Sequence, residues 1–399
     1  MFAFGRNHPT VIRALEQVLH GRLAGLVQLD VSLLAGLLAE QLLGRMPWLD
    51  KALFCNSGAE AVEAAIKLSR AATGRSRIVH CEHAFHGLTY GALSLCGDKP
   101  FRERFGPFVG ESAAIPFDDL HALEQTLSSK QIAAFIVEPV QGKGVNLPSN
   151  DYLPAAARLC RRYGTLLVAD EIQCGMGRTG RFLACEHWRA EPDIVLLAKA
   201  LSGGFVPVGA VAMRGWIFDR VSDRMDRAFV HGSTFSKIDL AMAAGLASLA
   251  AMDEERLIER AADLGERLIQ GLRRRLNGTE FVRDIRGKGM MIGIELGPPK
   301  SLRLKTAYAL LEQANEGLFC QVILMPLLAR HRILAQVAGH GVPVIKLLPP
   351  FVVSEGDLLW IEESFEQVVR EAESLGRIWE LGRTLAGQAL RERTALPER

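Results

Sequence analysis

The sequence predicts an α/β protein with a mostly parallel sheet in a large domain, followed by a smaller α+β domain. Short apolar segments alternate with segments of helical periodicity over the first two-thirds of the chain, which is the pattern of parallel strands joined by helices. With 399 residues, of which 49% are hydrophobic and 23% charged, the chain is long enough for two closely associated domains.

The apolar segments predict five strands in the large domain, at 77–81, 132–137, 165–169, 194–198 and 208–213. Helical periodicity predicts helices at 59–72, at 152–163 and from 239 to about 276. The last of these ends at Asn277 and Gly278, a typical helix stop signal, and we place the domain change there. We therefore expect a large domain over 45–278 and a small domain formed by 1–44 and 279–399.

The small domain has its own alternation of patterns. Its predicted strands lie at 289–296, 320–324 and 342–348, and its predicted helices at 302–314 and 355–372. No internal repeat or low-complexity linker separates the two halves.

Charge and cysteine content restrict the classes of function. The 47 basic and 45 acidic side chains are mixed along the chain and leave a formal charge of +2, so we expect neither nucleic acid nor a membrane surface as partner. Seven cysteines without a C-x-x-C pair indicate free thiols in a reducing compartment. We see no apolar run of the ~18 residues that a membrane span needs and no signal peptide. The expected location is the cytoplasm.

Segment 54–60 reads Phe-Cys-Asn-Ser-Gly-Ala-Glu and precedes a predicted helix. Ser57 and Glu60 have the spacing of a capping box, and the small residues Gly58 and Ala59 leave backbone N–H groups uncovered at the helix start. Such a helix start binds phosphate. An ordinary capped helix explains the same letters.

Two further segments place reactive side chains at strand ends. Asp170 follows the predicted strand 165–169, where a carboxylate could pair with a protonated ring nitrogen; a solvated acidic turn is the alternative. Lys199 closes an apolar strand just before Gly203 and Gly204. Burial disfavours the ammonium form and frees the amine to attack a carbonyl, although a lysine that simply reaches solvent is common.

These segments occur in order with Phe85-His86-Gly87 and with His-Gly-Ser-Thr-Phe at 231–235, and together they resemble the class III (ornithine-type, omega) aminotransferases. The similarity extends from about residue 5 to 372. It implies pyridoxal 5'-phosphate (PLP) as cofactor and PLP fold type I, which is aspartate-aminotransferase-like, with a mostly parallel seven-stranded sheet and a smaller α+β domain. Compared with the family, the N-terminal segment is expected to be missing or truncated.

The resemblance also implies roles for individual residues. Lys199 would form the imine with PLP, Asp170 would pair with the pyridine nitrogen, and Gln173 would contact the ring hydroxyl. The other implied cofactor contacts are Ser57, Gly58 and Ala59 at the phosphate, Phe85 on the ring face with His86 beside it, Glu138, Ser233, and Thr234 reaching the phosphate from the neighbouring subunit. The resemblance implies a homodimer with shared active sites and ping-pong transfer of an amino group from a donor to a carbonyl acceptor.

Two positions depart from the family pattern. Lys143 stands where ornithine-type members carry a gating glutamate, and Lys346 stands where many relatives use arginine to hold a substrate carboxylate. Lysine lacks the planar fork for bidentate binding, so the second replacement is not conservative. We expect both lysines to alter the choice of substrate, with an amine or aldehyde, bulky or lipid-like, as one partner.

Other interpretations compete with this one. Segment 175–180 fits G-x-G-x-x-G and suggests a dinucleotide site, but residues 170–174 separate it from its strand and no apolar helix follows. Histidines at 80, 83 and 86 suggest zinc, although a strand cannot direct adjacent residues at one ion, and we expect no metal. Fold type I also contains aminomutases, decarboxylases and racemases, and a non-catalytic PLP-fold protein is a further alternative.

Overall fold

In the computed structural model of this protein, residues 1–21, 32–108, 110–314 and 317–374 are described. The chain forms two compact units. The first contains Met1–Gly142, Asn146–Ala262 and Pro350–Val352, and the second contains Lys143–Val145, Asp263–Pro349 and Val353–Arg399. Parts of the predicted small domain, 22–31, 315–316 and 375–399, lie outside the described residues.

Across the described ranges, a seven-stranded sheet forms the centre of the first unit, in the order β1-β7-β6-β5-β4-β2-β3. Its strands are β1 (Lys51–Cys55), β2 (Arg77–Cys81), β3 (Ser112–Ile115), β4 (Ile132–Val137), β5 (Leu166–Asp170), β6 (Ile194–Leu197) and β7 (Gly209–Met213). The pairs from β3 through β2, β4 and β5 to β6 are parallel, whereas β7 runs antiparallel to β6 and β1. The predicted mostly parallel sheet is confirmed, and the five predicted strands are all present.

The sheet is flanked by helices. Those of the first unit are α1 (Pro9–His20), α2 (Leu33–Leu43), α3 (Gly58–Thr73), α4 (Tyr90–Ser94), α5 (Lys99–Arg102), α6 (Leu120–Leu127), α7 (Tyr152–Tyr163), α8 (Gly215–Val221) and α9 (Asp239–Glu254), and α10 (Leu257–Arg275) follows across the boundary in sequence. The single helix predicted for 239–276 is wrong. The helix breaks between α9 and α10, where Arg256 has a φ of +50° that a continuous right-handed helix does not allow.

Residues 1–44 differ from their predicted place in the small domain. Val11 of α1 packs with Ala244 and Ala247 of α9, and the Leu38 side chain of α2 covers Gly245. A Cβ at Gly245 would lie 2.8 Å from Leu38 Cδ2, so a glycine is required for this close approach. These apolar contacts place the described part of 1–44 in the first unit, and a sequence pattern alone does not show which helices pack together.

The second unit contains, in its described part, a four-stranded antiparallel sheet in the order β10-β11-β9-β8. Its elements are β8 (Val282–Lys288), β9 (Met291–Leu296), α11 (Leu302–Ala314), α12 (Cys320–His331), β10 (Gln336–Val337), β11 (Val344–Leu347) and α13 (Glu355–Ala372). The strand predicted at 320–324 is wrong, because those residues form the first turns of α12. Short apolar runs fit a strand and a buried helix equally well, and here Cys320, Ile323, Leu324 and Leu327 are buried at helical spacing.

All seven cysteines fall within described ranges, and each is buried with a free thiol, as predicted. No helix in the described part of the chain has both the length and the apolar character needed to cross a membrane.

Candidate active site

A pocket of about 640 Å³ opens at the carboxyl edge of the parallel strands in the first unit. This edge is where open α/β sheets bind ligands. Of the residues singled out from the sequence, those that line the pocket are Ser57, Gly58, Ala59, Phe85, His86, Glu138, Asp170, Gln173 and Lys199. The fold therefore brings together side chains that lie up to 142 positions apart in the chain.

One end of the pocket is the start of α3. Ser57 is its N-cap residue, with extended backbone, and its hydroxyl accepts a hydrogen bond from Glu60 N at 3.2 Å. The first N–H groups of a helix, here those of Gly58 and Ala59, have no acceptor within the helix. Because they also lie at the positive end of the helix dipole, they are suited to bind an anion.

Close packing limits the residues that can occupy this helix start. A Cβ at Gly58 would lie 2.9 Å from Ile172 Cγ2, and a Cβ at Gly209 would lie 2.5 Å from the Ser57 carbonyl oxygen. Glycine at both positions keeps the helix start in place against β7 and leaves the backbone open to the pocket.

A buried acid and a buried imidazole lie at the end of β5. His86 Nδ1 donates to Asp170 Oδ2 at 2.6 Å, and Asp170 Oδ1 accepts from Ile172 N at 3.1 Å. Burial alone would lower the pKa of His86, but the hydrogen bond and charge of Asp170, together with the charge of Glu138, outweigh it and raise that pKa above its ordinary value. The buried imidazole of His86 therefore supports Asp170 through this hydrogen bond, and Asp170 and Glu138 favour its protonated form.

Glu138 anchors the two loops that border this group. Its carboxylate accepts from Phe85 N at 3.1 Å and from Gly142 N at 2.9 Å. Burial and the charge of Asp170 raise the pKa of Glu138, against the opposing effects of His86 and the two N–H donors. The hydrogen bond from Phe85 N to Glu138 places the Phe85 ring at the pocket, where the side chain is 38% exposed. The ring makes an edge contact with the Phe101 ring, with 5.6 Å between the two centroids.

Lys199 lies two residues beyond the buried strand β6 and is half-buried at the pocket wall. Its backbone has φ +47°, in the left-handed region that costs a residue with a Cβ about 1 kcal/mol or more. A 3₁₀ turn over Lys199–Ser202 follows and ends at Gly203 with φ +64°. This backbone holds a strained lysine at the end of an apolar strand, as is typical of residues fixed for chemistry.

Gln173 packs closely against the backbone of Gly142. A Cβ at Gly142 would lie only 2.2 Å from Gln173 Nε2. The sequence interpretation missed several apolar residues of the wall. They are Met1, Leu88, Ile172, Phe205, Val206, Pro207 and Val208. Most adjoin a recognised motif, and that proximity was the available signal.

Four predicted site residues do not line this pocket. Ser233 lies beside it, where its hydroxyl accepts from Asn56 Nδ2 at 2.6 Å, and Thr234 is exposed. Lys143 and Lys346 belong to the second unit. The Lys143 stem lies over Gly339, and Lys346 is buried within β11.

Two competing motifs have other roles. Segment 175–180 lies in turns and leads to a 3₁₀ helix at Ala184–Trp188, not to the α-helix that a dinucleotide site requires. His83 pairs with Asp98, whereas His86 pairs with Asp170, and among the described residues no metal-binding group of three is formed.

The pocket fits PLP. The helix start of α3 suits a phosphate, the Asp170 carboxylate suits a protonated ring nitrogen, and the Lys199 amine suits an aldehyde. This fold and pocket define a PLP enzyme of fold type I. The family "Aminotransferase class-III" matches residues 1–369, and the chain belongs to that family. It is accordingly a PLP-dependent aminotransferase.

Individual relatives agree with this assignment. The chain is 33% identical to aminotransferase PigE of Serratia sp. over 92% of its own length, but it spans only 47% of that protein, about half. It is 41% identical to acetylornithine aminotransferase of Methanosarcina mazei, over 74% of this chain and 72% of the relative. The fold is also similar to the solved structure of an amine transaminase from an uncultivated Pseudomonas species in its PLP-bound form. The TM-score is 0.83 at 28% sequence identity, and the match covers 93% of this chain and 88% of the transaminase chain.

Proposed function

We propose that Lys199 is the residue that binds PLP covalently and moves the proton during amino transfer. The observation that carries this proposal is the position of Lys199, held with φ +47° on the wall of the same pocket as the α3 helix start and Asp170. In this assignment Ser57, Gly58 and Ala59 bind the phosphate, and Asp170 pairs with the ring nitrogen.

The proposal also includes the residues around these groups. Phe85 stacks on one face of the ring, Gln173 contacts the ring hydroxyl, and His86 orients Asp170 through the 2.6 Å hydrogen bond. Glu138 holds the Phe85 loop through the backbone N–H of Phe85.

PLP, when bound, supplies an electron sink that stabilises negative charge at the substrate carbon next to nitrogen. The chain supplies the rest. Asp170 would keep a proton on the ring nitrogen, and the Lys199 amine would carry a proton from the substrate carbon to the cofactor's C4'. The apolar wall of Phe205, Val206 and Pro207 shields that transfer from water.

For the substrates, we propose an amino acid or amine as donor and a keto acid or aldehyde as acceptor, with one partner apolar and bulky. The apolar wall formed by Met1, Leu88 and Phe205 supports this choice. The printed names of the relatives, an amine transaminase and an acetylornithine aminotransferase, fit amine and amino acid donors respectively. Lys143 and Lys346 are also proposed as substrate-binding residues. They replace the gating glutamate and the carboxylate-binding arginine of the family pattern, so these positions would select a different substrate.

We also propose a homodimer in the cytoplasm, with Ser233 and Thr234 contributing to the partner's phosphate site. Exposed apolar side chains surround these two residues: Phe229 is 65% exposed and Phe235 is 60% exposed. A second copy would cover them. The seven free, buried thiols fit a reducing compartment.

Reduction of the holoenzyme with borohydride, followed by peptide mapping, tests the role of Lys199. We expect the cofactor label on the peptide that contains Lys199 and its loss in Lys199→Ala, while Lys67→Ala, a change on the surface of α3, keeps it. A label on a different peptide would refute the assignment.

A second measurement separates aminotransfer from the other reactions of fold type I. Single-turnover spectra with ornithine, glutamate, putrescine and longer apolar amines should show conversion of the cofactor to its pyridoxamine form with release of a carbonyl product, a keto acid or an aldehyde. Product formation without that conversion would indicate an aminomutase, a decarboxylase or a racemase instead.

A further inference from the structure

His80 is a second buried histidine near the site, one for which the function above has no role. It lies in β2, where it is fully buried. In the parallel register, His80 is beside Ile136 of β4, and Ile136 is beside Val168 of β5. The face of the sheet that carries Ile78, Ile136 and Val168 packs against α3.

His80 and the His86–Asp170 pair share that face. Residues two apart along a strand point to the same side, so His80 lies with Ile78 and Asp170 lies with Val168. His86 binds Asp170 on this side, and the charge of His86 acts on His80, so the two imidazoles lie near each other on this face.

The hydrogen bonds fix which nitrogen of His80 carries its proton. His80 Nδ1 is 3.2 Å from the carbonyl oxygen of Cys81, and since a carbonyl only accepts, Nδ1 carries the hydrogen. Burial, with the charges of His86 and Arg102, lowers the pKa of His80 to about 4, so the ring is neutral. His80 Nε2 is then a lone-pair acceptor.

His86 has the complementary requirement. Its Nδ1–H donates to Asp170, and the protonated form, which Asp170 and Glu138 favour, also carries a hydrogen on Nε2. Within the described residues, neither His80 Nε2 nor His86 Nε2 has a hydrogen-bond partner, and both atoms are buried. With His86 protonated, a buried donor and a buried acceptor are both unsatisfied, and buried polar groups of this kind are normally satisfied by ordered water.

We propose that His80 is a positioning residue for the aminotransferase site. One ordered water accepts the Nε2–H of His86 and donates to His80 Nε2, and this bridge holds the Nδ1–H of His86 on Asp170. The chain of contacts is Cys81 carbonyl, His80, water, His86, Asp170. This inference rests on the proposed role of Asp170 at the ring nitrogen.

The other ionisable groups around the pair are known. Glu138 after β4 and Asp170 on β5 face His86, the Cys96 thiol lies after α4, and Arg102 in α5 acts on His80. Glu138 and Asp170 favour the charged form of His86, whereas Arg102 and His86 disfavour charge on His80. The direction of the proposed hydrogen bond, from His86 to His80, agrees with all of these groups.

The test compares the holoenzyme with its His80→Leu and His80→Gln variants, labelled with 15N-histidine. We expect His80→Leu to lower the pH at which His86 loses its proton by about one unit, because a hydrogen bond to a charged group is lost. His80→Gln, which retains an acceptor, should restore most of that change. Ring 15N shifts of His86, assigned with His86→Asn, report this directly and do not depend on catalysis.

Two outcomes would overturn the proposal. One is an unchanged titration of His86 in His80→Leu when thermal unfolding shows the variant folded, which would leave His80 as a packing residue. The other is a high-resolution crystal structure without a water between the two Nε2 atoms. Failure of the proposed function would be seen in a different experiment. In that case borohydride reduction would leave no cofactor label on Lys199, while the His80 variants would still change the titration of His86.

Discussion

The buried carboxylate of Glu171, next to Asp170, should make the stability of this protein depend on pH. Glu171 accepts hydrogen bonds from Ala184 N at 2.9 Å and Cys185 N at 2.8 Å, and the Cys174 thiol lies 3.2 Å from its Oε2. Burial raises the pKa of Glu171 from 4.5 to about 7, although these donors act against it. The side chain thus holds the turns that follow Asp170 in place.

The sign and size of the effect follow from this pKa. Between pH 4.5 and about 7 the folded chain binds more protons at Glu171 than the unfolded chain does, so the free energy of unfolding falls as pH rises. A pKa higher by about 2.5 in the folded state corresponds to about 3 kcal/mol, at about 1.4 kcal/mol per unit. This contribution is fully present below pH 4.5 and is lost above pH 7.

Glu171→Gln removes the titration and keeps the shape of the side chain. We expect the difference in free energy of unfolding between variant and wild type to move by about 3 kcal/mol in favour of the variant from pH 4.5 to pH 8. Denaturant unfolding at both pH values, at fixed protein and cofactor concentration, measures it. Glu40→Gln, at an exposed position of α2, is the matched control and should change stability by less than about 0.5 kcal/mol at either pH. An equal effect of Glu171→Gln at both pH values would refute the reasoning.

Three further substitutions test the site, and two of them are paired with a control substitution elsewhere in the chain. Asp170→Asn should lower kcat by roughly 100-fold or more in steady-state assays at saturating PLP, because the carboxylate is lost, and near-normal turnover would remove Asp170 from the site. Ser57→Ala and Ser354→Ala each remove an N-cap and should cost about 1 kcal/mol in denaturant unfolding, but only Ser57→Ala should also weaken PLP binding, by about tenfold in fluorescence titration. Gly87→Ala should destabilise the protein by about 2 kcal/mol or more, because Gly87 has φ +125° and a Cβ there would lie 2.7 Å from Ala59 Cβ. Gly36→Ala in α2 is the control: a Cβ at Gly36 would have no atom within 4 Å, so this change should stabilise the protein by about 0.5 kcal/mol. Thermal unfolding measures both, and equal effects at the two glycines would contradict this account.

The sequence by itself determined the parallel-sheet architecture and much of the pocket. Strands such as β4 and β6 are continuous apolar runs because they are buried on both faces, and such runs are visible without a structure. The motifs around Ser57, Asp170 and Lys199 could be recognised for a related reason. Each depends on neighbours in the chain: a cap with its helix, or a polar residue at or just beyond the end of a strand.

Tertiary structure alone decided the features that depend on residues distant in sequence. Whether residues 320–324 form a strand or a helix depends on which residues cover their apolar side chains. Likewise, the contact of Leu38 with Gly245 places α2 in the first unit. The bond of His86 to Asp170 joins residues 84 positions apart, and the pKa of Glu171 comes from burial that the surrounding chain creates. Hydrogen-bond partners and desolvation are properties of packing in three dimensions, and a local pattern of residues does not contain them.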